Sequence, residues 1–289
     1  MFKLTPASRR SLYLSTSLLL ALSMAACTEK GSSFTPAPTT PTTPTTAANE
    51  DARAYADYTD LIWSDEFTGG ALDQSKWAYE LGGGGWGNNE LQTYTNSADN
   101  VYQAGGSLVI QARGAAGSYT SGRLVTKGKQ SFQFGRIDVR AKLPKGKGVW
   151  PAIWMLGADI DQNNWPRCGE IDIMELRGSQ PQQFLSTMHF GNSVPDHRYK
   201  GTTQVMNMDL SADFHIYSMV RSKDQMRFFV DGQQYYAFTG ADASPYPFNY
   251  PFFVVLNVAI GGDFDGNPDG STAFPQQMQV DYVKYLQYK

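Results

Sequence analysis

Cysteine is nearly absent from this chain: 289 residues carry two, Cys27 and Cys168. A disulfide framework is therefore excluded, and a domain of this size holds together by burying apolar surface. No histidine stands near Cys168 in sequence, so nothing marks it as half of a thiolate–imidazole pair, and it reads as a small packing residue. Clustered basic residues are missing too. The formal net charge is −3 with no Lys/Arg block, which excludes nucleic acid as a partner, since phosphate binding needs concentrated positive charge. Internal repeats are absent, and so, beyond about Tyr58, is any sustained 3.6-residue apolar period with helix caps. The longest apolar run near the N-terminus is too short and mixed for a membrane-spanning helix.

What is present divides into three stretches. Residues 1–27 show Lys3, Arg9 and Arg10, then the apolar Leu18-Leu19-Leu20-Ala21-Leu22, then Ala25-Ala26 before Cys27. That is the order of an export signal. The placement of Cys27 resembles the lipobox of bacterial lipoproteins, which implies lipidation of Cys27 and a membrane link only through that anchor. An ordinary cleavable signal ending near Ala26 is the alternative, giving a secreted protein. The expected location is thus the outer membrane or cell surface, or otherwise outside the cell. Residues 28–56 are rich in Pro and Thr and read as an extended tether. Residues 57–289 form the globular part, expected to be a monomer.

In that part the periodicity is two. Arg136 to Leu143 alternates without fault, charged side chains on one face and Ile137, Val139, Ala141 and Leu143 on the other. Gln225–Val230, Asp231-Gly232 and Gln233–Phe238 spell a hairpin with a two-residue turn. Phe252 to Ile260 is apolar on both faces, interrupted only by Asn257, and Gln279 to Tyr288 closes the chain as a strand. Many short strands separated by Gly and Pro turns predict an all-β fold, an antiparallel sandwich of the jelly-roll kind.

One strand is chemically unusual: Gly169-Glu170-Ile171-Asp172-Ile173-Met174-Glu175-Leu176. Glu170 and Asp172 share a face by alternation, and Glu175 joins them only if one extra residue is absorbed as a bulge near Ile173-Met174. Two carboxyls flanking one bond is what glycoside hydrolysis requires. At about 3.3 Å per pairing step, Glu170 and Glu175 lie roughly 13 Å apart at Cα, a gap their side chains can narrow. Asp172 between them can share charge or a proton and help keep one Glu protonated. A solvated charged strand is the bland alternative. Sugar rings have apolar faces, and all six tryptophans lie between Trp63 and Trp165. Trp63 and Trp77 read as core. Trp150 and Trp154, on one face of a strand, and Trp165 in the following loop read as cleft platforms.

These residues resemble glycoside hydrolase family 16 in its bulged E-x-D-x-x-E form. Trp63-Ser-Asp-Glu-Phe67, Trp86-Gly-Asn-Asn-Glu-Leu-Gln92, Trp150-Pro-Ala-Ile-Trp-Met-Leu156 and Leu256-Asn-Val-Ala-Ile-Gly-Gly262 follow in the family's order. The Trp150–Leu156 run and the extra Met174 resemble the laminarinase branch. The resemblance implies a jelly roll with a concave substrate cleft and endo-hydrolysis of β-1,3-glucan polysaccharide with net retention. Glu170 would be the nucleophile, Glu175 the acid/base and Asp172 the assisting carboxylate. It also implies sugar contacts from Arg140, Asn257, Asn88 and His189, whereas His197 and His215 gain no such support. No cofactor is implied for catalysis. A structural calcium is, held by Glu66, the Gly106 carbonyl and Asp281. The same chemistry on mixed-linkage β-glucan or on an agar- or carrageenan-type galactan stays open, as does a non-catalytic carbohydrate-binding jelly roll.

Overall fold

Alternating side chains from Tyr58 onward resolve into strands. The computed structural model describes residues 50–115 and 117–289; the expected signal, Cys27 and residues 28–49 of the expected tether lie outside the described residues. The first nine strands are β1 (Asp60–Asp65), β2 (Ala78–Tyr79), β3 (Gln92–Tyr94), β4 (Val101–Ala104), β5 (Ser107–Ala115), β6 (Ser118–Ser121), β7 (Arg123–Val125), β8 (Gly135–Lys142) and β9 (Val149–Gly157). They are followed by β10 (Glu170–Leu176), β11 (Gln183–Phe190), β12 (Arg198–Val205), β13 (His215–Ser222), β14 (Gln225–Val230), β15 (Gln233–Thr239), β16 (Phe252–Ile260) and β17 (Gln276–Gln287).

Two sheets face each other, as a jelly-roll sandwich requires. A seven-stranded sheet runs β12-β11-β10-β9-β16-β7-β2, and a ten-stranded one runs β15-β14-β13-β8-β17-β5-β6-β3, with β1 on β17 and β4 on β5. The ladders are antiparallel apart from β3 with β6. The core lies between the sheets. Ile153, Met155, Ile171, Ile173, Met188, Val254, Leu256 and Val258 from one meet Ile137, Val139, Tyr217, Met219, Phe228, Val280 and Val283 from the other. β16 is buried along its whole length. Its core-facing residues join that cluster, while Phe253 and Val255 pack on the other face with Leu156, Cys168, Trp154 and Trp165. The Cys168 thiol is buried there, and burial pushes it up to about 12, which keeps it an inert packing group. The hairpin between β14 and β15 turns on Asp231 (φ 49°) and Gly232 (φ 76°), the left-handed pair that a two-residue turn demands.

The predicted bulge is present. Against β9, Glu170, Asp172 and Glu175 pair with Leu156, Trp154 and Ala152, alternate residues of an even strand. Against β11 they pair with His189, Thr187 and Leu185. Three steps on β10 from Asp172 to Glu175 thus match two on each neighbour, and Ile173 and Met174 both turn into the core with no exposure. The shift takes Ile173 out of register, and its carbonyl accepts from Ser186 Oγ at 2.7 Å and Tyr235 OH at 3.3 Å instead. The bulge is satisfied from within, as a buried carbonyl must be.

Two expectations need correction. Arg140 does not reach the cleft. It lies on the outward side of β8, in the ten-stranded sheet, with Nη1 2.6 Å from Asp281 Oδ2 and its guanidinium over the Phe214 ring. Faultless alternation in β8 places Arg140 opposite the core-facing Val139 and Ala141, and the core separates that face from the other sheet. The calcium set is altered by the same pairing. Asp281 Oδ2 is held by Arg140 and Glu66 Oε1 by Lys284 at 3.2 Å, so one oxygen of each expected ligand carboxylate is already paired with a protein cation. Residues 50–57, counted with the tether in the sequence reading, pack on the outer sheet. Glu50 accepts from the Lys223 amide at 2.8 Å, the Tyr55 carbonyl accepts from Arg136 Nη1 at 2.8 Å, and the Tyr55 ring packs 4.7 Å from Phe229.

Met174→Ala removes a wholly buried side chain from the bulge. It should lower unfolding stability by about 2–5 kcal/mol, read from the urea midpoint, and a loss no larger than that of a surface substitution would contradict its placement in the core.

Candidate active site

The outer face of the seven-stranded sheet is hollowed into a cleft of about 610 Å³. β7, β9, β10, β11, β12 and β16 each send side chains into it. Its floor is the acid row of β10. Asp172 is 2% exposed, and Glu170 and Glu175 are half-buried.

Each acid has a distinct neighbour. Trp150 donates Nε1–H to Glu175 Oε1 at 3.0 Å. His189, directly across from Glu170 on β11, places Nε2 3.7 Å from Glu170 Oε1 and 3.2 Å from Asp172 Oδ2. Burial pushes Glu170 up to about 8, helped by the charge of Asp172. Burial and Asp172 do the same to Glu175, also to about 8. Burial raises Asp172 well above the usual carboxylate range. The row cannot carry three negative charges, so it retains protons near neutrality. Carboxyls so coupled titrate as a set, and the set supplies both an acid and a base.

The walls are aromatic. Trp154 donates Nε1–H to Asn257 Oδ1 at 2.7 Å, and Asn257 Nδ2 donates to Tyr94 OH at 3.0 Å. This explains the lone Asn of β16, whose buried amide is satisfied on both sides. At one end, the Arg123 guanidinium is sandwiched between the rings of Trp86 and Trp154, at 4.5 and 4.7 Å, with Nε 2.5 Å from Glu80. Asn88 lies beside it and donates to Glu90 Oε1 at 3.0 Å. The loop carrying Asn88 is tied to the end of β16: Leu91 N bonds Ile260 O at 2.8 Å, and Asp263 N bonds Asn88 O at 2.9 Å. Gly262, with φ +83°, is required there, because a Cβ would collide with the Asn88 carbonyl. At the other end Trp165, His189, His197 and Tyr199 form a ring cluster, with His189 Nδ1 2.8 Å from His197 Nε2.

The structure therefore brings Glu170, Asp172, Glu175, Trp150, Trp154, Trp165, His189, Asn257 and Asn88 into one cleft and leaves Arg140 outside it. Sequence reasoning assigned no cleft role to Arg123, Glu90, Arg177, His197, Tyr199 and Phe264, which also line it. Arg123 sits in a three-residue strand, too short to show a period. Glu90 was within a quoted motif, and its position between Asn88 and Gln92, both of which donate to it, was the available signal. His215 pairs with Asp231 at 2.7 Å on the other sheet and takes no part.

The raised carboxyls have a thermodynamic consequence. A carboxyl at about 8 in the fold, against 4.5 when free, binds more protons folded than unfolded between those values. Stability then falls as pH rises from about 4.5 to about 8 and levels off above. Glu175→Gln should raise Tm at pH 8 relative to the parent and change it little at pH 4.5. Equal shifts at both pH values would show that the acid row carries no such penalty.

Comparison with known proteins follows the same lines. The glycosyl hydrolases family 16 profile matches residues 88–284. Glucan endo-1,3-beta-glucosidase A1 of Niallia circulans is 42% identical over 78% of this chain, which spans only 37% of that longer protein. The Beta-glucanase of Rhodothermus marinus is 40% identical, with 81% of this chain and 87% of the relative covered. The laminarinase catalytic domain of Thermotoga maritima MSB8 superposes with a TM-score of 0.74 at 40% identity, covering 81% of this chain and 99% of that one. The bulged acid strand, the tryptophan-walled cleft and these likenesses lead to one assignment: the chain belongs to glycoside hydrolase family 16.

Proposed function

We propose that this protein is a retaining endo-β-1,3-glucanase acting on laminarin-type glucans. The observation that carries the reading is the bulge that sets Glu170, Asp172 and Glu175 in one row on the floor of the tryptophan-walled cleft. Glu170, beside the imidazole of His189, attacks the anomeric carbon as a carboxylate and forms a glycosyl ester while the glycosidic C–O bond breaks. Glu175 gives its proton to the departing oxygen. A water then enters, Glu175 takes its proton, the hydroxyl adds to the anomeric carbon and Glu170 leaves, so configuration is inverted twice. Asp172, buried between the two, exchanges charge with each as the proton moves. Trp150 and Trp154 offer apolar faces to sugar rings.

Two features favour an internal bond in a neutral chain. The cleft crosses six strands, β7, β9, β10, β11, β12 and β16, which suits a polymer threading through it. Its lining carries five acids, Glu90, Glu170, Asp172, Glu175 and Asp263, against Arg123 and Arg177. Glu80 already pairs with Arg123 at 2.5 Å, so little free positive charge faces a sulfate ester, which weighs against a sulfated galactan. The relatives named for β-1,3-glucan cleavage agree with this reading. The N-terminal pattern supports export and lipidation at Cys27, by which the anchor would hold the enzyme to a membrane.

Glu175→Gln should lower turnover of laminarin by about 10²–10⁴-fold, Glu170→Gln should lower it at least as far, and both should retain binding by calorimetry. Normal turnover by either variant would refute its assigned role. The first product anomer, followed by NMR, should be β, and laminarin should be cut faster than lichenan or agarose; a preference for agarose would redirect the substrate. Cys27→Ser should move the protein from the membrane fraction to the soluble fraction, and unchanged fractionation would count against the anchor.

A further inference from the structure

We propose that Glu170, Asp172 and His189 also form a transition-metal site, binding one divalent ion of the zinc and copper class in competition with glucan. The proposal goes beyond hydrolysis and stands on geometry of its own. Among the described residues this is the one group of three or more His, Cys, Asp or Glu donors that converge, with one ligand atom from each lying within 4.8 Å of the others. His189 Nε2 is 3.2 Å from Asp172 Oδ2 and 3.7 Å from Glu170 Oε1. Donors on a tetrahedral ion with bonds of about 2.0–2.2 Å stand roughly 3.3–3.6 Å apart. The two measured separations straddle that edge length, so an ion can seat with small side-chain rotations.

A second observation points into the same space. Asp172 is 2% exposed, and its Oδ2 accepts no hydrogen bond, although His189 Nε2 is at ion-pair distance. A buried carboxylate oxygen without a donor is costly, and a cation satisfies it. The outer contact of the imidazole is that of a metal-bound histidine. His189 Nδ1 lies 2.8 Å from His197 Nε2, which can accept its N–H and leave Nε2 bare toward the acids. The cleft side remains open for water as a fourth ligand.

The donor set also selects the ion. One imidazole nitrogen and two carboxylate oxygens suit zinc, copper or cobalt, whereas calcium wants six to eight oxygens. A sugar ring over the acids and an ion among them cannot coexist. Transition metal would therefore act as a reversible inhibitor that occupies the empty cleft.

The test uses the full-length protein, stripped of metal by a chelator and dialysed, with Zn²⁺ alone followed by calorimetry and Cu²⁺ alone by EPR. The expected result is one ion per chain, nitrogen hyperfine coupling on the copper signal, and loss of binding in saturating laminarin oligosaccharide. His189→Gln should weaken binding at least about tenfold, and His197→Ala by about 10–100-fold. Glu175→Gln, inactive in hydrolysis but outside the donor set, should still bind the ion, which separates this proposal from the glucanase reading. No binding, binding that survives the oligosaccharide, or a copper signal without nitrogen coupling would each overturn it; all three are read on the parent protein and do not depend on a variant folding.

Discussion

Like charge crowded into one buried strand is the constraint on which this structure depends. Glu170, Asp172 and Glu175 occupy consecutive outward positions of β10, with core on the other side and the cleft above. Water cannot screen them fully, so the row retains protons and its members titrate together. The neighbours then sort the roles. An indole N–H on Glu175 and an imidazole beside Glu170 and Asp172 give the two ends different environments, although burial raises both to a similar level. An acid and a base on one strand need that difference more than they need a particular absolute value.

The strands around the row carry its supports in register. Ala152, Trp154 and Leu156 on β9 and Leu185, Thr187 and His189 on β11 stand opposite the acids in alternate steps. β16 lies beyond β9, and its Asn257 fixes the Trp154 indole. Burial of β16 on both faces makes that asparagine a fixed point, since its amide is held by Trp154 and Tyr94. The platform for a sugar ring is thus positioned by the core of the sandwich and not by a loop, which limits how far it can drift from the acids.

Much of this was legible in the chain. Strict alternation in β8, the Asp231-Gly232 turn and the doubly apolar β16 each follow from period and turn chemistry, and the bulge follows from the mismatch between Asp172 and Glu175. Arg140 shows where the reading ends. Alternation fixes which residues share a face, but not which of two sheets a strand enters, and Arg140 went to the sheet away from the cleft. His197 and Arg123 were illegible for another reason. His197 follows a short 3₁₀ turn at Val194–Asp196, and Arg123 opens a three-residue strand, so their proximity to β10 is created only by tertiary pairing. Nor did the pattern show that Arg140 and Lys284 pair with Asp281 and Glu66, two of the expected calcium ligands.

The packing of residues 50–57 bears on how the enzyme meets its polymer. Tyr55 lies over the outward side of β8 and β13, its hydroxyl 3.3 Å from Ser218 Oγ, while the acids open from the opposite sheet. The first eight described residues thus cover the outer sheet on the side away from the cleft, closing apolar surface there without narrowing the path of a polymer across the acids.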